Sequence, residues 1–259
     1  MILVDLVAAS GSAVYVLLGA AKWVLGRRAD ALTDFEASIN VLLYVILLQI
    51  TFSTADAIAG WVGLSVSLNN TRLVSALLQE SSSVFANASR LAIDTILYVQ
   101  TERAALAAAP ITSPLASVLG AATGWSVTEL SVVAIIYMHL SFASRAFALT
   151  APFLATVGAV LLPIPRLRRW GGTFLAIYLS VSLGLLYSGS ATAKALSNIR
   201  RPSPINPIDW INIASIVGDI AVALGEAATI TVLALSLATV AGVGLAGVFD
   251  GIYVNLLRV

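Results

Sequence analysis

The sequence predicts an all-α protein, a polytopic bundle of transmembrane helices with one long amphipathic helix on the extracytoplasmic side. Of its 259 residues, 59% are hydrophobic and only 10% are charged, whereas a soluble domain carries about 25% charged residues. Several apolar stretches reach the length of about 20 residues that crosses the hydrocarbon core of a bilayer. One long interval, 67–111, is more polar and repeats its apolar positions with the period of a helix.

Residues 1–66 are predicted to form two N-terminal transmembrane helices, at 2–25 and 38–66. Near its start the first helix carries Asp5, whereas a cleaved signal peptide carries basic residues there, so we expect the helix to remain as a span. Its positive charges lie at its far end and are Lys22, Arg27 and Arg28. Because positive loops stay in the cytoplasm, the chain is predicted to be a multi-pass protein of the cell membrane with its N-terminus outside.

The 67–111 interval is therefore predicted to be extracytoplasmic. From Val74 to Val99 its apolar or small residues follow three- and four-residue steps, which indicates one buried face of a helix. This face is expected either to lie on the outer membrane surface or to pack in a seven-residue register against a partner or a second copy. The interval also holds two Asn-X-Ser/Thr glycosylation sequons, at Asn69 and Asn87.

Residues 112–259 are predicted to form a bundle of four or five spans. A break is expected near Arg145 and Pro152, because a proline interrupts a helix. The expected spans are 127–143, 147–164, 171–190 and 228–249, the last preceded by an amphipathic stretch from about 208. The apolar segment 104–124 is either one more span or a re-entrant piece, which gives the chain six spans or seven.

Polar residues within the spans are the candidate functional residues, because ionisable groups in a membrane are costly. Asp219 and Glu226 lie seven residues apart and share a helix face with Asn212. Each alone is better explained by a structural role, such as a position near the interface, but together they suggest a polar cavity or an inter-subunit surface. The candidate pore residues are Gln49, Asp56, Glu129, Asp219 and Glu226.

Small residues predict close helix packing in the last span. Gly247 and Gly251 form a Gly-x-x-x-Gly pair, and Gly242 begins a looser version of the same pattern. Such faces let transmembrane helices approach closely, so a homo-oligomer in the lipid bilayer is expected.

Motifs of catalysis and cofactor binding are absent from the sequence. The chain has no Cys and a single His, His139, and it has no phosphate-binding loop, no nucleophile elbow and no zinc-protease motif. The net charge is only +1, whereas a soluble nucleic-acid-binding surface carries a large excess of positive charge. The sequence therefore predicts a protein that is not an enzyme, with no catalytic residue, no cofactor and no metal.

The layout resembles the polytopic inner-membrane subunit of type IV secretion and conjugation machines. The shared features are two spans from an outside N-terminus, a long structured external interval and a cluster of spans rich in Ala, Gly and Ser. Within that group it is most similar to the CedA-type subunit of the crenarchaeal, and so archaeal, DNA-import apparatus. The resemblance implies a channel subunit with DNA as the transported substrate, and pilin-like subunits and a secretion ATPase as partners.

Two other functions remain open from the sequence. A proton- or solute-coupled transporter would use Asp56, Asp219 and Glu226 as its ionisable groups. An accessory subunit of a respiratory complex would supply helices for contact with a quinone or with protons.

Overall fold

A computed structural model describes residues 2–162, 164, 167–202, 209 and 212–256, with side chains described between Ser12 and Phe249. Over these residues the chain is all-helical, as predicted. The six helices are α1 (Ile2–Val24), α2 (Arg28–Trp61), α3 (Thr71–Ala108), α4 (Ser113–Leu161), α5 (Arg168–Asn198) and α6 (Ile213–Leu256). Within the described residues, α2, α4, α5 and the Ile213–Phe249 part of α6 are long and apolar enough to cross a membrane.

The helices divide into two compact units. Unit 1 contains residues 1–76, 148–183 and 237–259, and unit 2 contains residues 77–147 and 184–236. The helices α3, α4, α5 and α6 each contribute one part to each unit, whereas α1 and α2 belong to unit 1 alone.

In unit 1, α1 and α2 form an antiparallel pair. The hydroxyls of Ser12 and Ser38 lie 2.7 Å apart and both residues are buried. Nearer the turn, Lys22 forms a salt bridge with Asp34 at 2.7 Å. The α2 helix begins ten residues before the predicted span at 38–66, because this polar first part continues the helix without a break.

The predicted break in the third and fourth spans is wrong, because α4 is one helix of 49 residues that passes through both Arg145 and Pro152. The Arg145 side chain is exposed on the surface of the continuous helix, so no break of α4 is required to accommodate it. Pro152 lacks the N–H that would bond to the carbonyl of Ala148. In unit 1 that carbonyl accepts a hydrogen bond from the Ser75 hydroxyl instead, at 2.6 Å.

The segment 104–124, which was expected to be either one more span or a re-entrant piece, is not a separate helix. It consists of the end of α3, a turn over residues 109–112 and the start of α4. Pro110 lies in the turn and Pro114 lies in the first helical turn of α4, where a missing N–H costs little. From Ile213 onward, the amphipathic stretch and the last predicted span form the single helix α6. The expected start of that stretch near 208 lies outside the described residues.

The predicted long helix at 67–111 is present as α3, and its apolar face is covered by α4 of the same chain. In unit 2, the hydroxyls of Ser82 and Ser89 donate to the carbonyls of Ser141 and Ala134, at 2.9 and 3.0 Å. Seven residues separate the partners on each helix, so the two helices pack antiparallel in a seven-residue register. A seven-residue register was one of the two alternatives expected for this face, but it was expected with a partner or a second copy, whereas the described face packs on α4.

Small residues also set the approach of α4 to α5 in unit 1. A methyl group on Gly171 would lie 2.6 Å from the backbone nitrogen of Leu162 and 2.8 Å from the carbonyl oxygen of Gly158. Because backbone atoms cannot rotate away, glycine is required for this contact.

Candidate functional site

A polar stripe on the exposed face of α6 is the main candidate site of unit 2. Asp219 and Glu226 are both exposed, and so is Asn212, as their seven-residue spacing predicted. Further exposed polar residues continue the line in steps of three, four or seven residues. The α6 polar stripe consists of Asn212, Ser215, Asp219, Glu226, Thr229 and Ser236.

The hydroxyls and the carboxylates of this stripe differ in where their hydrogen-bond partners come from. Thr229 donates to the carbonyl of Gly225 at 2.9 Å, and Ser236 donates to that of Val232 at 2.8 Å. Such bonds to the preceding turn allow a hydroxyl to sit in an apolar environment. A carboxylate can only accept hydrogen bonds, so Asp219 and Glu226 need donors from water or from neighbouring side chains.

A cavity of about 320 Å³ opens beside Asp219 in unit 2. Its polar lining comes from the end of α5 and the start of α6 and consists of Asn198, Arg200, Asn212, Ser215 and Asp219. Arg200 also forms a salt bridge with the buried Asp209, at 2.5 Å. The cavity therefore extends the polar character of the α6 stripe to the end of α5.

Glu129 lies at the contact of α4 with α6 in unit 2. Its Oε1 atom packs against Gly225, where a larger residue would collide with it. Its Oε2 atom is buried and has no hydrogen-bond partner among the described residues. Of the predicted pore residues, Glu129 thus faces the neighbouring helix while Asp219 and Glu226 face outward.

Asp56 has a structural role in unit 1. Its two carboxylate oxygens accept hydrogen bonds from the backbone N–H of Leu68, at 2.6 Å, and from the Ser67 hydroxyl, at 2.9 Å. Both donors belong to the loop that joins α2 to α3, so the carboxylate holds this loop in place. Gln49, two turns earlier on α2, is exposed.

Tyr137 is a central residue of unit 2 that the sequence analysis did not identify. Its ring is buried and stacks on Phe85 of α3, with the ring centroids 6.0 Å apart. Its hydroxyl donates to the carbonyl of Leu224 at 3.4 Å and accepts from Thr192 at 3.5 Å. One side chain of α4 thereby contacts α3, α5 and α6.

A second group missed by sequence analysis lies near the end of α3 in unit 2. Glu102 is buried, and burial raises the pKa of its carboxyl above the ordinary value. Burial, together with the negative charges of Glu102 and Asp209, raises the pKa of Tyr98. No periodic pattern could reveal this group, because Asp209 comes from a distant part of the chain.

In unit 1, Tyr178 and Arg168 of α5 were also missed. The Tyr178 hydroxyl donates to the carbonyl of Leu68 at 2.6 Å, beside the loop that Asp56 holds. The guanidinium of the buried Arg168 lies 4.2 Å from the centre of the Tyr44 ring, which is a cation–π contact.

The two sequons occupy different environments. Asn69 is partly buried in the loop before α3, and the adjacent Asn70 caps that helix by accepting from the Leu73 N–H at 3.1 Å. Asn87 is exposed in the middle of α3.

The glycines predicted to pack helices together also differ. Gly242 faces Ser180 of α5 in unit 1, where the two helices are in close contact. Gly247 is exposed, and among the described residues no other part of the chain approaches within 4 Å of its β-carbon position. The side-chain position of Gly251 lies outside the described residues.

Within the described ranges, no three residues among His, Cys, Asp and Glu come together as a metal site would need. No known protein family, curated protein or solved structure matches the chain.

Proposed function

We propose that this chain is a non-enzymatic membrane subunit of a DNA-transport channel, of the type IV secretion or conjugation-like import kind. The α6 polar stripe carries the proposal, because Asp219 and Glu226 are exposed on a helix that is long and apolar enough to cross a membrane. An acidic side chain at the centre of a bilayer costs about 2.5–3.5 kcal/mol or more. The stripe is therefore expected to face water or another protein rather than lipid.

The outward direction of the stripe favours a channel built from several chains. Asp219 and Glu226 are exposed on the described chain, so a wall opposite them has to come from another subunit. A carrier of small solutes instead binds its substrate within its own fold, typically at helices that are interrupted near the middle of the membrane. The described helices run without such interruptions, and the Asp56 carboxylate is already bonded to its own loop.

The length of α3 and α4 supports a subunit of a larger machine. At 1.5 Å per residue, α3 is about 57 Å long and α4 about 73 Å long. The hydrocarbon core of a bilayer is only about 30 Å thick. Ordered helix therefore extends beyond the bilayer, where the resemblance implies contacts with pilin-like subunits and a secretion ATPase.

The same proposal includes the orientation expected from the sequence. The protein lies in the cell membrane with its N-terminus outside. The large uncovered apolar surfaces of the chain suit a homo-oligomer in the bilayer, and DNA is the substrate.

One experiment separates the channel from a carrier by charge. DNA is a polyanion, so its passage does not depend on attraction to carboxylates. Neutralising the stripe with Asp219→Asn and Glu226→Gln is therefore expected to leave DNA uptake by cells intact. A carrier that couples transport to these carboxylates would instead lose its flux. Asp94→Asn, an exposed carboxylate on α3, is the matched control. A solute flux that the lone monomer catalyses and that Glu226→Gln abolishes would refute the proposal.

A second experiment tests whether water reaches the stripe. Because the chain has no Cys, Asp219→Cys and Glu226→Cys each introduce a unique thiol. A charged, membrane-impermeant thiol reagent is expected to modify both in intact membranes. Leu237→Cys, at an exposed apolar position of the same helix, is expected to react much more slowly. Equal rates at all three positions would contradict a wetted stripe.

A further inference from the structure

A line of charged and polar residues runs along the outer side of α3 in unit 2, on the face that points away from α4. Its members are all exposed and follow one another in steps of three and four residues. The α3 outer stripe consists of Glu80, Ser83, Asn87, Arg90 and Asp94. Such steps keep side chains on one face of a helix. This face of α3 is therefore polar over about 21 Å, at 1.5 Å per residue.

The charges of the α3 outer stripe are not neutralised inside the chain. Among the described residues, Glu80, Arg90 and Asp94 form no ion pair, and their side chains have no hydrogen-bond partner. The Ser83 hydroxyl bonds only within its own helix, to the carbonyl of Glu80 at 2.7 Å. Charged groups without a partner are costly outside water, so this side of α3 needs a wet environment.

The contacts between α3 and α4 show which part of α4 lies beside the stripe. At one end of the contact, the Ser89 hydroxyl donates to the carbonyl of Ala134 at 3.0 Å. At the other end, the Ser144 hydroxyl donates to the carbonyl of Leu78 at 2.7 Å. Because the two helices are antiparallel, the α3 outer stripe lies at the level of residues 129–143 of α4.

At this level α4 has an apolar outer side. Residues 130–144 include no Asp, Glu, Lys or Arg, and Ile135 and Phe142 are exposed by 56% and 65%. The polar exceptions on this side are Ser131 and His139. The Ser131 hydroxyl and the His139 Nδ1 atom each lie 2.8 Å from a carbonyl oxygen of the preceding turn, so both bond within α4 itself.

The two outer sides are therefore suited to different surroundings. A charged side chain at the centre of a bilayer costs about 2.5–3.5 kcal/mol or more, which disfavours lipid at the α3 outer stripe. The apolar side chains of α4 are favourable in lipid and unfavourable in water, and α4 is apolar enough to cross a membrane. Hydropathy does not select α3 as a span, although α3 runs alongside one.

We propose that the α3 outer stripe lines a water-filled path through the membrane, while the outer side of α4 at the same level faces lipid. In this arrangement α3 crosses the membrane beside α4, instead of lying on the extracytoplasmic side as expected from the sequence. Ionisable residues of membrane proteins face wet cavities of this kind. The inference rests on the proposed function only for the location of the chain in a membrane, and it names a surface that a conduit would use.

Spin labels on the chain in lipid vesicles test the proposal. In this Cys-free chain, Ser83→Cys and Asn87→Cys place a nitroxide on the α3 outer stripe. Ile135→Cys and Phe142→Cys place it on the outer side of α4 at nearly the same level and are the matched controls. A water-soluble nickel chelate is expected to relax the α3 labels at least about fivefold more than the α4 labels, since it does not enter hydrocarbon. Molecular oxygen, which concentrates in lipid, should show the reverse order.

The other arrangements of unit 2 give different patterns. If the nickel chelate reached all four labels equally, unit 2 would lie outside the bilayer and the proposal would be overturned. If oxygen dominated at all four, α3 would face lipid, which would overturn it as well. The labels report surroundings and not transport, so the result stands whether or not neutralising Asp219 and Glu226 changes DNA uptake.

Hydroxyl-radical footprinting of the unmodified chain in the same vesicles is a second measurement that needs no substitution. Leu97 lies three residues after Asp94 on the same side of α3 and is exposed by 58%, so radicals formed in water are expected to oxidise it. Met138 on α4, exposed by 42%, has a readily oxidised thioether. Lipid is nevertheless expected to protect it about fivefold or more relative to the denatured chain. Faster oxidation of Met138 than of Leu97 in vesicles would overturn the proposal.

Discussion

The hydroxyl of Ser75 donates a hydrogen bond to the backbone carbonyl of Ala148, at 2.6 Å. This carbonyl lies four residues before Pro152, and it is the one that the proline leaves without its helical N–H. The contact explains how α4 continues through a residue that usually ends or bends a helix.

The first prediction is that the need for Ser75 depends on Pro152. Ser75→Ala leaves the Ala148 carbonyl without this donor and is expected to lower the free energy of unfolding by about 1–3 kcal/mol. In a Pro152→Ala background the restored N–H bonds to that carbonyl, so Ser75→Ala should cost much less. Thermal unfolding in detergent measures the double-mutant cycle. Equal losses in both backgrounds would contradict the coupling, and Ser83→Ala on the exposed face of α3 is the control.

The second prediction concerns the glycine contact between α4 and α5. Gly171→Ala places a methyl group 2.6 Å from the backbone nitrogen of Leu162, and overpacking of this kind costs about 1–3 kcal/mol. Gly124→Ala is the matched control, because no neighbouring helix of the described structure approaches within 4 Å of its β-carbon position. There the better helix propensity of alanine is expected to stabilise the protein by up to about 1 kcal/mol. A neutral effect at Gly171 would mean that the two helices are further apart.

The third prediction is that Asp56 stabilises the loop before α3. Asp56→Ala removes the acceptor of two hydrogen bonds and is expected to cost about 1–3 kcal/mol, in the range for bonds to a charged group. Protease cleavage within the loop should become faster. Asp94→Ala, on the exposed face of α3, should change neither stability nor cleavage. If Asp56→Ala abolished transport without lowering stability, the residue would instead belong to the transport channel.

The fourth prediction is a pH dependence that originates at Glu102. Burial raises the pKa of this carboxyl above its ordinary value of 4.5, so the folded protein keeps the proton to a higher pH than the unfolded chain does. Its contribution to stability is therefore complete below pH 4.5 and is lost as the pH rises through the folded pKa. Glu102→Gln remains neutral and should remove this loss. Melting temperatures measured from acidic to neutral pH would show it as a smaller difference between the two ends.

In the Glu102 experiment, Glu80→Gln serves as the control, because Glu80 is exposed on the same helix. It should keep the pH profile of the original chain. A profile that Glu102→Gln leaves unchanged would show that the pKa of the Glu102 carboxyl is the same in the folded and unfolded protein.

Local periodicity was sufficient to predict the helices that bury one continuous face. The stripe from Val74 to Val99 predicted α3, and its seven-residue register is present in the α3–α4 packing. The helix break predicted near Pro152 was wrong, because a proline within a helix indicates a break unless the donor that replaces its N–H is known. That donor, Ser75, lies more than seventy residues away along the chain.

The candidate sites also divide into those that follow from local spacing and those that depend on distant contacts. The shared exposed face of Asp219 and Glu226 follows from their spacing on one helix and was predicted. The role of Asp56 depends on a loop that folds back onto it, and the contacts of Tyr137 join residues from four helices. Such arrangements are set by tertiary packing, which a spacing within one segment does not encode.

The hydroxyls of Ser82 and Ser89 bond to main-chain oxygens, which every residue of the opposing helix carries. A displacement of α3 along α4 by one heptad would therefore meet acceptors of the same kind at the same spacing. The serines therefore hold the two helices together without specifying their alignment. The alignment is specified by the short connection over residues 109–112 and by contacts that a shift would break, such as the stack of Phe85 on Tyr137.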